Sequence, residues 1–250
     1  DIVLGNVIGS NILNILLILG ASALIHPLIV KNDTVKKELP ITLLITTLFA
    51  VLLLDNVFDK HMINNFTRGD GIVLILFFLV FIYYLITLMR NKVEDEKEEE
   101  VWKLSKSVLF TVLGLVMIIV GSNFVVDSAS VLAKEIGISE RIISLTIIAL
   151  GTSLPELVTS VMATKKGEYD IAIGNVVGSN IFNIGIVMGL PVTILGGITK
   201  IAFSYIDLIV MIGAALLLFI FSRNDYKIKK REGIAFLIIF VIYYSYVILG

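Results

Sequence analysis

Long apolar stretches alternate with short polar ones along the whole of this chain. Eight of them are long enough, or nearly so, to cross a hydrocarbon layer of about 30 Å: residues 2–25, 39–55, 71–89, 107–133, 141–163, 170–195, 204–222 and 233–249. Helices are the form expected for them, because a backbone without water must satisfy its own hydrogen bonds. Two of the eight depart from the apolar pattern in the same way. Asp1 to Gly20 reads DIVLGNVIGSNILNILLILG and Asp170 to Gly189 reads DIAIGNVVGSNIFNIGIVMG, identical at twelve of twenty positions at an offset of 169 residues. This is an internal repeat. Both copies carry Gly, Ser and Asn where a lipid-facing helix would carry Leu, which suggests a pair of helices built to line a midplane site.

The copies sit in the first and sixth spans, an odd number of crossings apart, so they are expected to run in opposite directions. That predicts an inverted repeat about a pseudo-two-fold axis in the membrane plane. Weaker echoes extend it, since Asp70-Gly71-Ile72 opens the third span and Glu232-Gly233-Ile234 the eighth. The expected fold is an all-α membrane protein of inverted-repeat transporter type, with eight of ten transmembrane helices in this chain. Residues 1–89 would hold three spans of the first repeat, 90–106 an acidic linker, and 107–250 the five spans of the second. The remaining pair is expected before Asp1, which opens inside a repeat motif.

Charge adds an orientation. Fifteen Lys and Arg fall on one side of the spans and five on the other. The richer side is expected to be cytoplasmic, which puts the 90–106 loop in the cytoplasm and both chain ends outside the cell membrane. Composition agrees with burial in lipid. Of the 250 residues, 57% are hydrophobic and mean hydropathy is +0.98. A net charge of −1 argues against a nucleic-acid partner. The absence of cysteine excludes disulfides and thiolate metal sites.

The chemistry concentrates in the fifth span, at Ala149-Leu150-Gly151-Thr152-Ser153-Leu154-Pro155-Glu156. An ionised carboxylate at mid-depth costs at least about 2.5 kcal/mol, and no Lys or Arg falls inside any predicted span other than Arg141, the first residue of the fifth and fifteen positions before Glu156. A bound cation or a proton is left to offset the charge of Glu156. Pro155 removes a backbone donor and disfavours helix just before itself. A break there would free carbonyls of Ala149 to Ser153, tolerated at membrane depth where they line a cavity or bind an ion. Together with the hydroxyls of Thr152 and Ser153 they form an oxygen set suited to a hard cation such as calcium or sodium. The alternative for these two hydroxyls is bonding to the preceding helical turn.

In the sixth span Ser179 and Asn183 stand four apart and share a helix face, and Ser10 and Asn14 repeat the arrangement in the first. Asn6, Asn11, Asn175 and Asn180 fit helix packing and ion contact equally, and the glycines beside them fit close helix packing. Asp127 and Asp207 read as carboxylates near span edges, Glu94 to Glu100 as a solvated linker, and His26 and His61 as loop-edge histidines.

Gly-Thr-Ser-Leu-Pro-Glu at 151–156, followed by Gly-Asn-Val-Val-Gly-Ser-Asn at 174–180, resembles the second α-repeat of the sodium/calcium exchanger family, within the cation/calcium antiporters. Asp1 to Gly20 resembles the second half of the first α-repeat. The resemblance implies ten helices in two inverted halves around four ion sites, with alternating access by two outer helices that slide across a static core; 107–133 would be one of them. Glu156 would bridge calcium and sodium sites. Thr152 and Ser153 would add oxygens, Ala149 a carbonyl, and Ser179, Asn183, Ser10 and Asn14 the remaining side-chain ligands. The family's first Gly-Thr-Ser-Leu-Pro-Glu would lie upstream of Asp1, and Asn183 stands where some members carry Asp.

The function expected is secondary antiport of sodium against calcium, with the lipid bilayer and these ions as partners, no cofactor and no enzymatic step. Proton/calcium exchange on the same scaffold is the alternative, since a buried Glu can carry a proton. A cation channel fits less well, for want of a pore-lining ring. An intramembrane protease using Ser153 lacks a base, because neither histidine nor any lysine lies at membrane depth.

Overall fold

The computed structural model describes residues 2–58, 64–91, 103–137, 147, 149–198 and 203–249. Six helical segments in it are long and apolar enough to cross a membrane: Val3–Ile25, Arg68–Arg90, Leu104–Glu135, Tyr169–Leu195, Tyr205–Arg223 and Lys230–Leu249. The other two expected spans differ for physical reasons. The 39–55 stretch runs up to the single-turn α4 (Asp55–Phe58) and forms α3 (Leu39–Leu52), 14 residues long. At 1.5 Å per residue it reaches roughly 21 Å, and the π-wound turn before it carries Lys36, Lys37 and Glu38. The 141–163 stretch is interrupted, its described part comprising α7 (Ala149–Thr152) and α8 (Leu154–Lys166). His61, Arg141 and the acidic run 94–100 lie outside the described residues.

The two repeat copies have the same local architecture. The first is α1 (Ile2–Leu13), a π-wound stretch Asn14–Leu19, and α2 (Gly20–Ile25). The second is α9 (Tyr169–Phe182), a π-wound stretch Asn183–Met188, and α10 (Gly189–Leu195). Each switches to the wider winding at the last Asn of its motif. Such turns leave backbone groups out of the regular ladder and occur often at functional sites.

These copies form the centre. In the first, 72% of the apolar window is buried, against 6% for α6 (Leu104–Glu135), which lies outermost. Around them stand α5 (Arg68–Asn91), α11 (Tyr205–Arg223) and α12 (Lys230–Leu249). Close approach depends on paired glycines. A Cβ on Gly71 of α5 would lie 2.8 Å from the Gly189 carbonyl oxygen, and one on Gly189 would lie 3.1 Å from that of Gly71. Gly233 of α12 and Gly20 of α2 stand in the same relation, at 2.9 and 3.2 Å. So α5, which belongs to the first half of the chain, leans on the second copy, and α12 leans on the first.

Two short ribbons repeat this exchange at the loops. β1 (Leu28–Ile29) pairs antiparallel with β2 (Lys227–Ile228), with Leu28 opposite Ile228. Phe66 and Ile198 form an isolated antiparallel bridge, exchanging backbone bonds of 2.8 and 2.7 Å. The end of α2 also meets the start of α9. Lys31 forms an ion pair with Asp170, and the His26 ring stacks on Tyr169, whose hydroxyl lies 2.7 Å from His26 Nδ1.

Candidate ion-binding site

The break before Glu156 falls at Ser153, which leaves helical geometry at φ −96° and ψ 0° between α7 and α8. Pro155 lies in the first turn of α8, where its missing N–H is one of the donors a helix start leaves unpaired anyway. Glu156 follows in that turn. Its carboxylate therefore sits at the positive end of a helix, worth about 0.3–1 kcal/mol to a negative charge. Glu156 Oε2 is buried and has no hydrogen-bond partner among the described residues. Ser179 faces the same carboxylate from α9. No lysine or arginine of the described residues faces it; the ion pairs Lys31–Asp170, Lys37–Asp33, Lys229–Asp225 and Arg231–Glu232 all belong to helix ends and loops.

An open cleft of about 460 Å³ runs beside this carboxylate, lined by Glu156, Gly174, Asn175, Gly178, Ser179, Phe182 and Asn183. Gly174 and Gly178 are lining residues here, because a Cβ at either would meet none of the described residues within 4 Å. This corrects their expected use in close helix packing, which falls instead to Gly20, Gly71, Gly189 and Gly233. Asn175 fixes the position of α8. Its Nδ2 donates to the Glu156 carbonyl at 3.1 Å and to Ser160 Oγ at 3.0 Å.

On the other side of the break, Thr152 Oγ1 donates to Asn6 Oδ1 at 3.2 Å and lies 3.5 Å from Ser10 Oγ. The first copy thus touches the Thr-Ser-Leu-Pro-Glu segment directly. Ser153 and Ser10 are buried. Ala149 opens the short helix α7 that carries Thr152 to this contact. Asn14 is buried deeper, with Nδ2 donating to Asn180 Oδ1 at 2.9 Å and Oδ1 left without a partner among the described residues. Asn183 donates through Nδ2 to Asn11 Oδ1 at 3.1 Å.

Six of the eight expected ligand residues are brought to the cleft or to the crossing beside it without forming one closed shell, while Ala149 and Ser153 are placed by the short helix and the break that follows it. Glu156, Ser179 and Asn183 share the cleft, Thr152 and Ser10 meet beside it, and Asn14 stands behind the crossing of the two copies. The crossing itself is held by Asn11 and Asn180, which helical spacing alone left undecided. Their signal in the sequence was the duplication, which places an Asn three residues before each of Asn14 and Asn183. His26 is engaged with Tyr169 at a helix end, so it is not a base for Ser153.

The arrangement offers oxygen atoms and one buried, unpaired carboxylate oxygen beside an open cleft, which is chemistry for a cation. The sequence matches the family described as "Sodium/calcium exchanger protein" over residues 1–87 and 106–249. It is 40% identical over 215 residues to the inner membrane protein YrbG of Escherichia coli (strain K12), covering 82% of this chain and 64% of that protein. It is 30% identical over 277 residues to the sodium/calcium exchanger MaX1 of Methanosarcina acetivorans, covering 96% of this chain and 78% of that one. Among solved structures, the sodium-calcium exchanger NCX_Mj soaked with Na⁺ and Sr²⁺ superposes with a TM-score of 0.80 at 32% identity, over 98% of this chain and 76% of the other.

Proposed function

Because the chain belongs to the sodium/calcium exchanger protein family, we propose that it works in the lipid bilayer as a secondary antiporter, moving sodium one way and calcium the other through the Glu156 site. The observation that carries this is the buried, unpartnered Oε2 of Glu156 beside the Ser179–Asn183 cleft, with no basic side chain facing it among the described residues. A cation supplies the missing partner. Glu156, Thr152, Ser153 and the Ala149 carbonyl act from the broken helix, Ser179 and Asn183 from the second copy, and Ser10 and Asn14 from the first. No chemical bond is made or broken, and the ions are cargo.

The two halves act as an inverted pair. Three observations support this reading: the crossed glycine contacts, the two ribbons that join opposite halves, and the meeting of the end of α2 with the start of α9. Eight crossings follow if α3 and the interrupted helix through Glu156 traverse the bilayer with the six longer segments. The lysine-rich side, including 90–106, then faces the cytoplasm and both chain ends lie outside. Two ions compete for overlapping oxygens, so a gradient of one drives the other. Only a loaded site hides its charge well enough to reorient through the low-dielectric middle.

The test uses vesicles containing the full-length protein. Sodium-driven calcium uptake is expected in the wild type and is lost in Glu156→Gln. Normal uptake by that variant would remove Glu156 from the mechanism. Dissipating the sodium gradient is expected to stop uptake, whereas dependence on a pH gradient instead would assign the counter-ion role to the proton.

A further inference from the structure

Four asparagines at the crossing of the two copies form a reciprocal set. Asn11 donates through Nδ2 to the Asn180 backbone carbonyl at 3.4 Å, and Asn180 donates back to the Asn11 carbonyl at 3.3 Å. Their own side-chain oxygens then accept from the next pair: Asn180 Oδ1 from Asn14 at 2.9 Å, and Asn11 Oδ1 from Asn183 at 3.1 Å. Asn11, Asn14 and Asn180 are each 1% exposed.

A primary amide presents a carbonyl oxygen on one side and two N–H donors on the other, in nearly the same volume. Left free, it can turn either end toward an ion, and only the oxygen end attracts a cation. Here the nitrogen end of Asn14 and of Asn183 is occupied from across the two-fold. The oxygen of Asn14 is consequently left buried without a partner among the described residues, and Asn183 lines the cleft with Glu156. We propose that Asn11 and Asn180 are positioning residues that act crosswise. Asn11 aims the amide of Asn183 and Asn180 aims the amide of Asn14, so that each turns oxygen toward the transported cation. Helix glue would need only the two bonds to backbone carbonyls. The additional amide-to-amide bonds are what orient the oxygens. The proposal rests on the ion-exchange reading above.

The experiment measures calcium affinity in purified full-length protein, from the rise in melting temperature with added calcium. Asn11→Ala is expected to weaken calcium binding about tenfold, within the range seen when groups that orient metal ligands are removed. The same tenfold loss should persist in an Asn14→Ala background and vanish in an Asn183→Ala background. Asn180→Ala should show the mirror pattern, lost with Asn14→Ala and kept with Asn183→Ala. Asn11→Ser and Asn180→Ser serve the same cycles if the alanine variants do not fold, since the shorter hydroxyl cannot bridge both partners. Equal effects in both backgrounds, or a lower melting temperature with calcium affinity unchanged, would overturn the proposal while leaving the exchanger reading intact. A wild type whose melting temperature ignores both calcium and sodium would overturn both.

Discussion

Glu156→Gln should cost stability when calcium is present and change it little when calcium is removed. In the ion-free protein an ionised carboxylate near mid-depth costs about 2.5–3.5 kcal/mol. The helix start at Ser153 returns roughly 0.3–1 kcal/mol of that, and Ser179 faces one side of the group. A glutamine in the same place still leaves an unpaired polar end, at about 1–3 kcal/mol. On central values the two nearly cancel, so in chelator the variant should melt within roughly 2–4 °C of the wild type, the shift that about 1 kcal/mol gives a chain of this size. Calcium at a hundred times its dissociation constant stabilises the wild type by about 2.7 kcal/mol, and the variant should gain almost none of it. Melting curves of full-length protein in detergent therefore lie close together in chelator and separate in calcium, where the variant melts lower. A variant that keeps the calcium-dependent rise would refute the view that Glu156 is a carboxylate awaiting a cation.

Two further outcomes follow from packing. Gly71→Ala should destabilise by about 1–3 kcal/mol through overpacking against the Gly189 carbonyl, whereas Gly114→Ala, with none of the described residues within 4 Å of its Cβ, should stabilise by up to about 1 kcal/mol; thermal melting of the pair checks both signs. Tyr243→Phe removes the hydroxyl that donates to Asp207 Oδ1 at 3.0 Å, so a loss of about 1.5–3 kcal/mol is expected in the same assay.

Much of the architecture was readable in the chain because its strongest signals are local or repeated. Six spans follow from unbroken apolar length, and Pro155 placed the interruption that the structure locates at Ser153. Repeated polar positions singled out Ser10, Asn14, Ser179 and Asn183. What stayed hidden depends on partners distant in sequence. A spacing of four gives Asn183 a helix face but does not say which end of its amide is bound by Asn11. The glycine pattern of the motif does not distinguish Gly178, which lines open space, from Gly189, which touches Gly71. The π-wound turns at Asn14 and Asn183 carry no composition different from an α-helix. The two-residue strands Leu28–Ile29 and Lys227–Ile228 are too short to show alternation. The 39–55 stretch was read as longer than α3 because apolar residues continue past Leu52, where the helix stops.

The glycine seams also set an order of assembly. Gly20 meets its partner only when Gly233 arrives, more than two hundred residues later during synthesis, so the early copy waits half-dressed in the membrane for the final helix. Drawing α5 or α12 away from the copy it leans on would tear a seam. Among the described helices α6 stands outside that stitching, with 6% of its apolar window buried and Val126 meeting the core at Gly151, so its displacement would break neither seam.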